Sequence, residues 1–303
     1  MALAGRRRGL KCLAGAALAG ALPGAALAQA SSAPASASVS AAQAKRRRLV
    51  SLSGALTEVV YLLQAQDQLV GTDTTSLYPE AARRTAKVGY VRQLSAEGLL
   101  SLRPDAVIGT SEAGPPVVLE QIRQAGVRVA LVPSRHNWAE VQEKVAVVGR
   151  ETGRAQQATA LMAQLDAQWA GVQAQVAQAT RKPRVLFILA HSGSPMVAGR
   201  GTAAQALMAY AGAANVIDQF EGYRPLTAEA LASAAPEVII STTQGIEALG
   251  GETAFWQRPE LALTPAYAKK ALVALEASHL LGFGPRLPGA VQALHLRTLQ
   301  WVA

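Results

Sequence analysis

Cysteine is almost absent from this 303-residue chain: the single one, Cys12, lies near the N-terminus. A disulfide framework is thereby excluded, as is a metal centre built on thiolates. Aromatic residues are scarce too, at 5% of the composition. Lys and Arg outnumber Asp and Glu by 29 to 20, but no basic helix or ribbon extends beyond the short Lys45-Arg46-Arg47-Arg48 run. With few aromatics and no basic stripe, nucleic acid is not an expected partner. No apolar run in the body of the chain reaches the roughly 18 residues of a membrane-spanning helix, so no membrane insertion is expected of the mature chain. Catalytic signatures are missing as well: there is no G-x-S-x-G elbow, no H-E-x-x-H pair and no G-x-x-x-x-G-K-[ST] phosphate loop. The segment Gly199-Arg200-Gly201-Thr202-Ala203-Ala204, followed by Asp218, imitates a dinucleotide fingerprint. It begins too far beyond its strand, and reads better as a turn that opens a helix. The four histidines (His136, His191, His279, His295) show no paired helical spacing, so a multi-histidine zinc site has no support.

What is present begins with a basic head (Arg6, Arg7, Arg8, Lys11), an apolar stretch from Cys12 to Leu22 and the small-residue site Ala26-Leu27-Ala28. That order is a secretory signal peptide over residues 1–28, cleaved near Ala28. Its four basic and no acidic side chains leave with it, lowering the formal charge from +9 to +5. Residues 29–45, rich in Ala and Ser, read as a disordered leader. Beyond them, strand-like runs at 48–52, 105–109, 127–132, 184–190, 237–242 and 271–275 alternate with helical segments, which predicts an α/β fold with mainly parallel sheets. The first helix, 56–63, carries Thr57 and Glu58 in its first turn, where an acid suits the helix dipole. Residues 153–180 contain no proline and predict one long helix of roughly 40 Å, a strut between two lobes. The expected organisation is an N-terminal lobe over 46–152, a linker helix over 153–181 and a C-terminal lobe over 182–303.

The two lobes are expected to be alike because one phrase occurs twice. Residues 94–110, LSAEGLLSLRPDAVIGT, return 132 residues later as LTAEALASAAPEVIIST, with eight of 17 positions identical. Each copy reads as a cap (Ser95 or Thr227), a short helix ending before proline, and a buried strand. Just ahead of the copies stand Gly89-Tyr90-Val91-Arg92 and Gly222-Tyr223-Arg224, so each lobe offers a tyrosine and an arginine from a loop that can face a shared cleft.

The segments GYVRQLSAEGLLSLRPDAVIG, PMVAGRGTAA, EGYRPLTAEAL and LLGFGPR together resemble the periplasmic haem-binding proteins that serve haem-uptake ABC transporters. The opening LVSLSGALTEVVYLL is similar to the wider class of carriers for haem, ferric siderophores and cobalamin. The resemblance implies a monomeric, non-catalytic periplasmic carrier with two α/β lobes joined by one long helix, which binds haem between the lobes and passes it to an ABC transporter permease. It also implies that Tyr90 is the axial ligand of haem iron. A phenolate is a hard oxygen donor suited to ferric iron, and a neighbouring guanidinium such as Arg92 favours the ionised form of a tyrosine or pairs with a haem propionate. His191, Tyr223 and Arg224, and with them His136, are candidates for the opposite haem face. Glu97 and Glu229, equivalent in the two copies, are implied as docking charges for the permease, although each also stands in the first turn of its helix. Two other readings remain open: a siderophore or cobalamin carrier of the same architecture, and an exported hydrolase.

Overall fold

Alternation of buried strands and amphipathic helices builds two sheets in succession. The structure, a computed structural model, describes residues 47–190 and 195–302. The expected signal peptide and Ala/Ser leader lie outside the described residues. The first lobe runs β1 (Leu49–Leu52), α1 (Gly54–Leu62), β2 (Leu69–Thr72), α2 (Ala96–Ser101), β3 (Ala106–Thr110), α3 (Pro116–Gln124), β4 (Arg128–Val132) and α4 (Trp138–Thr152). Its four strands are all parallel, in the order β2-β1-β3-β4. Because side chains alternate along a strand, Leu49, Ala106 and Ile108 pack against α1 and α4 on one face. Val50, Leu52 and Val107 pack against α2 and α3 on the other.

Then α5 (Ala155–Ala177) crosses to a second lobe made of β5 (Arg184–Leu189), β6 (Met196–Ala198), α6 (Ala203–Tyr210), β7 (Ala214–Asn215), β8 (Tyr223–Pro225), α7 (Ala228–Ala234), β9 (Val238–Thr242), α8 (Thr243–Ala248), α9 (Gly251–Trp256), α10 (Pro265–Lys269), β10 (Leu272–Leu275), α11 (Ala277–Leu281) and α12 (Leu287–Leu299). The sheet order is β10-β9-β5-β6-β8, with β7 beside β5; β10, β9, β5 and β7 are parallel, whereas β6 and β8 are antiparallel additions. No helix among the described residues is long and apolar enough to cross a membrane.

The long helix is shorter than its composition suggests. Gly153, at φ +72°, takes the left-handed conformation that closes α4, so α5 starts only at Ala155 and its 23 residues span roughly 35 Å. It touches both lobes. The Trp138 and Trp169 rings stack at 4.8 Å, and Trp169 meets Tyr210 edge-on at 4.9 Å, linking α4, α5 and α6.

The duplicated phrase folds twice into the same unit, down to its polar contacts. In the first copy the Arg48 backbone N–H donates to Asp105 at 2.8 Å, and the Arg48 guanidinium donates to the Leu102 carbonyl at 2.8 Å. In the second, the Arg184 backbone N–H donates to Glu237 at 2.9 Å, and its guanidinium donates to the Ala234 carbonyl at 2.6 Å. Even the left-handed residues before the prolines match, Arg103 at φ +46° and Ala235 at φ +44°.

The lobes meet through segment 282–286 of the second, within the LLGFGPR run. Lys144, from α4 and almost fully buried, donates to the carbonyls of Gly282 at 3.0 Å and Phe283 at 2.9 Å, and pairs with the equally buried Glu140 at 2.6 Å. Arg286 reaches back to grip the Glu58 carboxylate with two hydrogen bonds, of 2.6 and 2.8 Å. A methyl group on Gly284 would stand 2.9 Å from the Ala55 Cβ, so this contact requires glycine. The reading of Glu58 as a first-turn dipole acid is therefore corrected. The helix starts at Gly54, which moves Glu58 into its second turn and turns it inward, where it is 4% exposed. Burial raises the Glu58 pKa, against the opposing pull of Arg286. Burial likewise lowers that of Lys144, against the pull of Glu140.

Candidate functional site

Loops following the parallel strands of an α/β sheet gather at the strand carboxyl ends, where ligand sites of such folds are built. In the first lobe the loop after β2, the 88–94 segment and the 111–115 loop after β3 are tied together by backbone hydrogen bonds. Thr74 N–H donates to Gly89 O at 3.0 Å, Gly114 N–H donates to Val91 O at 2.9 Å, and Leu94 N–H donates to Gly114 O at 3.0 Å. A tight turn, Gln93 N–H to Tyr90 O at 2.8 Å, with Gly89 at φ +105°, sets the tyrosine's place. That φ belongs to the region glycine enters freely. Tyr90 projects from this clamp as one of the exposed large side chains, 44% accessible.

Arg92, two residues on, finds a partner that sequence reasoning missed. Glu112, in the loop clamped against it, accepts a hydrogen bond from Arg92 Nη2 at 2.6 Å. That bond raises the Arg92 pKa, and the field of both Tyr90 and Tyr223 adds to the shift. No local pattern marks Glu112. Its only sequence signal is an acid set directly after a buried strand end, in Thr110-Ser111-Glu112.

Tyr223 belongs to the other lobe. The expected loop is in fact strand β8, paired antiparallel to β6 with Tyr223 opposite Ala198. It forms because Gly222, at φ +77°, turns the chain back along β6. Thr202 and the Ala204 backbone, at the start of α6, neighbour Tyr223. Thr202 also caps that helix, accepting from Gln205 N–H at 3.1 Å, so the GRGTAA segment is the helix-opening turn its sequence suggests. Burial raises the Tyr223 pKa; Glu112 adds to this, while Arg92 opposes it. The two lobes thus bring Tyr90, Arg92 and Tyr223 into one electrostatic neighbourhood, with Glu112 as its acid.

Arg224 is exposed and lies over the Phe220 ring, 4.6 Å from its centre, within the range of a cation–π contact. Phe220 in turn fills the place a side chain on Gly199 would need, since a Cβ there would come within 2.4 Å of Phe220 O. His136 sits at the junction of the lobes, its ring 5.4 Å from that of Phe283. Its backbone N–H and that of Arg135 both donate to Glu140 at 2.7 Å. His295 is buried against the Ala211 carbonyl at 2.9 Å, a packing role. His191 lies outside the described residues. Among the described residues no group of three or more His, Cys, Asp or Glu converges as a metal site. Glu97 and Glu229 are exposed in the first turns of α2 and α7, equivalent as the repeat requires.

Comparison with known proteins agrees with this architecture. A family model described as periplasmic binding protein matches residues 49–278. The solved periplasmic haem-binding protein BhuT, in complex with two haems, is 43% identical, with a TM-score of 0.81 over 85% of this chain and 99% of that one. RhuT, the periplasmic haem-binding protein from Roseiflexus sp. RS-1, solved in apo form, is 36% identical, with a TM-score of 0.81 over the same shares, 85% and 99%. A cobalamin-binding protein of Halobacterium salinarum is 27% identical over 248 residues, 79% of this chain and 66% of that protein. The alignments span 65% and 66% of the length of the first curated relatives. The matched family region takes in both sheets and the helix between them, and the chain belongs to the periplasmic binding protein family.

Proposed function

We propose that this chain binds haem between its two lobes and delivers it to the permease of an ABC importer, acting as an exported, monomeric carrier without catalysis. The observation that carries this reading is that an exposed phenol, Tyr90, and a guanidinium, Arg92, share one clamped turn, and that Tyr223 of the other lobe lies within the field of Arg92. Similarity to two solved haem-binding proteins at 43% and 36% identity supports it. Tyr90 is the iron ligand: ferric iron takes the place of the phenolic proton as the cargo binds. Arg92 receives a propionate, Tyr223 offers a neutral hydroxyl toward the macrocycle, and the solvent-facing Arg224 takes the second propionate. His191 and His136 are the candidates for the far side of the iron. Cleavage near Ala28 releases the carrier into the periplasm.

The cobalamin-binding relative favours a second reading, a corrinoid carrier of the same fold. Titrating the purified, ligand-free protein with haemin and, in parallel, with cyanocobalamin separates the two. A saturable visible change with haemin alone is expected. Saturation with cyanocobalamin and none with haemin would reverse the assignment.

Delivery depends on Glu97 and Glu229 as docking charges, one per lobe. Exposed ion pairs are individually weak, commonly below about 1 kcal/mol, whereas pairs desolvated in an interface contribute more. Single Ala variants should therefore change little. The double variant Glu97→Lys/Glu229→Lys is expected to keep wild-type haemin affinity and to lose most haem uptake in cells that rely on this carrier. Uptake at the wild-type rate would leave the two acids as helix-start residues only.

A further inference from the structure

Two of the Arg–Glu pairs among the described residues, Glu58–Arg286 and Glu112–Arg92, are built differently. Glu58 and Arg286 join through two hydrogen bonds with the carboxylate 5% exposed, a permanent fastening. Glu112 and Arg92 meet through one oxygen and one nitrogen, with side chains 40% and 58% exposed. The two-pronged geometry open to a guanidinium and a carboxylate is not used, and water reaches both partners. Such a pair exchanges partners easily. Its surroundings make the exchange consequential: Arg92 lies within the field of Tyr90 and Tyr223, and Glu112 acts on Tyr223 and Lys144.

We propose that Glu112 is an internal stand-in for the carboxylate of the cargo: it occupies the Arg92 guanidinium while the cleft is empty and must surrender it when a haem propionate arrives. The inference rests on the haem reading above. A resident competitor lowers affinity, because each binding event breaks an ion pair before making one. It also hastens release, because Glu112 reclaims the guanidinium as the propionate leaves. A carrier that hands its ligand to a transporter gains from both. Neutralising Glu112 while keeping its shape should therefore tighten binding, the reverse of what removing an ordinary site residue does.

The test compares wild type with Glu112→Gln, both checked for equal thermal midpoints, against haemin and against haemin dimethyl ester, whose propionates carry no charge. The expected result is haemin affinity about two- to fivefold higher in Glu112→Gln, the range for releasing a half-exposed ion pair, with slower haemin dissociation and unchanged affinity for the diester. Haemin affinity that stays the same or falls would overturn the stand-in role while leaving haem binding intact, as would an equal gain for the diester. Wild type that binds no haemin would overturn the functional reading and this inference with it. The two failures are thus told apart by the wild-type titration alone.

Discussion

Tyr90→Phe is expected to abolish the phenolate-to-iron charge-transfer absorption of the haemin-loaded protein and to weaken ferric haem binding by on the order of 100-fold or more. Even partners outside the ligand shell are commonly worth 10–100-fold in metal affinity, and this change removes the oxygen donor itself. The ring stays, and its neighbours impose no packing cost, because the side chain is 44% exposed on a turn held by backbone hydrogen bonds. The fold should therefore be unaffected, and visible spectroscopy of the titrated variant reads the loss directly. An unchanged spectrum would place the iron on another residue. Arg92→Ala should have a smaller effect, since the guanidinium it removes is already shared with Glu112.

The largest stability effect is expected where the lobes meet. Lys144→Met removes a buried ammonium that satisfies Glu140 and two carbonyls of the opposite lobe. Breaking a buried ion pair by deleting one partner costs about 3–5 kcal/mol, because the other charge is left without compensation. Here Glu140 keeps two backbone donors, from Arg135 and His136, which favours the lower part of that range. For a chain of this size the loss corresponds to a fall in melting temperature of roughly 6–12 °C. Replacing both partners, in Glu140→Gln/Lys144→Met, should recover part of it, since no lone charge then remains buried. Thermal unfolding of the two variants checks this. A single variant as stable as wild type would show that the lobes do not depend on this fastening.

These two sites differ in how far they could be read from the sequence. Tyr90 and Arg92 stand in a continuous stretch ahead of a helix start, and their pairing with Gly222-Tyr223-Arg224 is visible because the neighbouring phrase repeats. The α/β alternation and the repeated helix–strand unit are local periodic patterns, and both appear in the fold. The interlobe fastening leaves no such trace. Glu58 and Arg286 are 228 residues apart, and Lys144 and Phe283 are 139 apart, so nothing near either partner signals the other. In sequence Glu58 reads as a helix-dipole acid because the helix start is placed two residues late, at Leu56 rather than Gly54. Strands β6 and β8 hold three residues each, too few to show a period. The same shortness makes Gly222-Tyr223-Arg224 read as a loop. The left-handed Gly153 that trims α5 is equally hidden, since glycine is compatible with a helix interior in sequence and is committed to a cap only by the backbone it adopts. Glu112 had to wait for the fold because its partner comes from a different loop, brought alongside by the hydrogen bonds of Gly114.

Whether haem is held between the lobes on Tyr90 is decided by a crystal structure of the haemin-loaded protein. The expected structure has a macrocycle lying between the 88–93 turn and strand β8, with the iron bonded to Tyr90 Oη and a propionate on Arg92 in place of Glu112. Haem seated outside the cleft, or iron bonded elsewhere with Tyr90 turned to solvent, would contradict it.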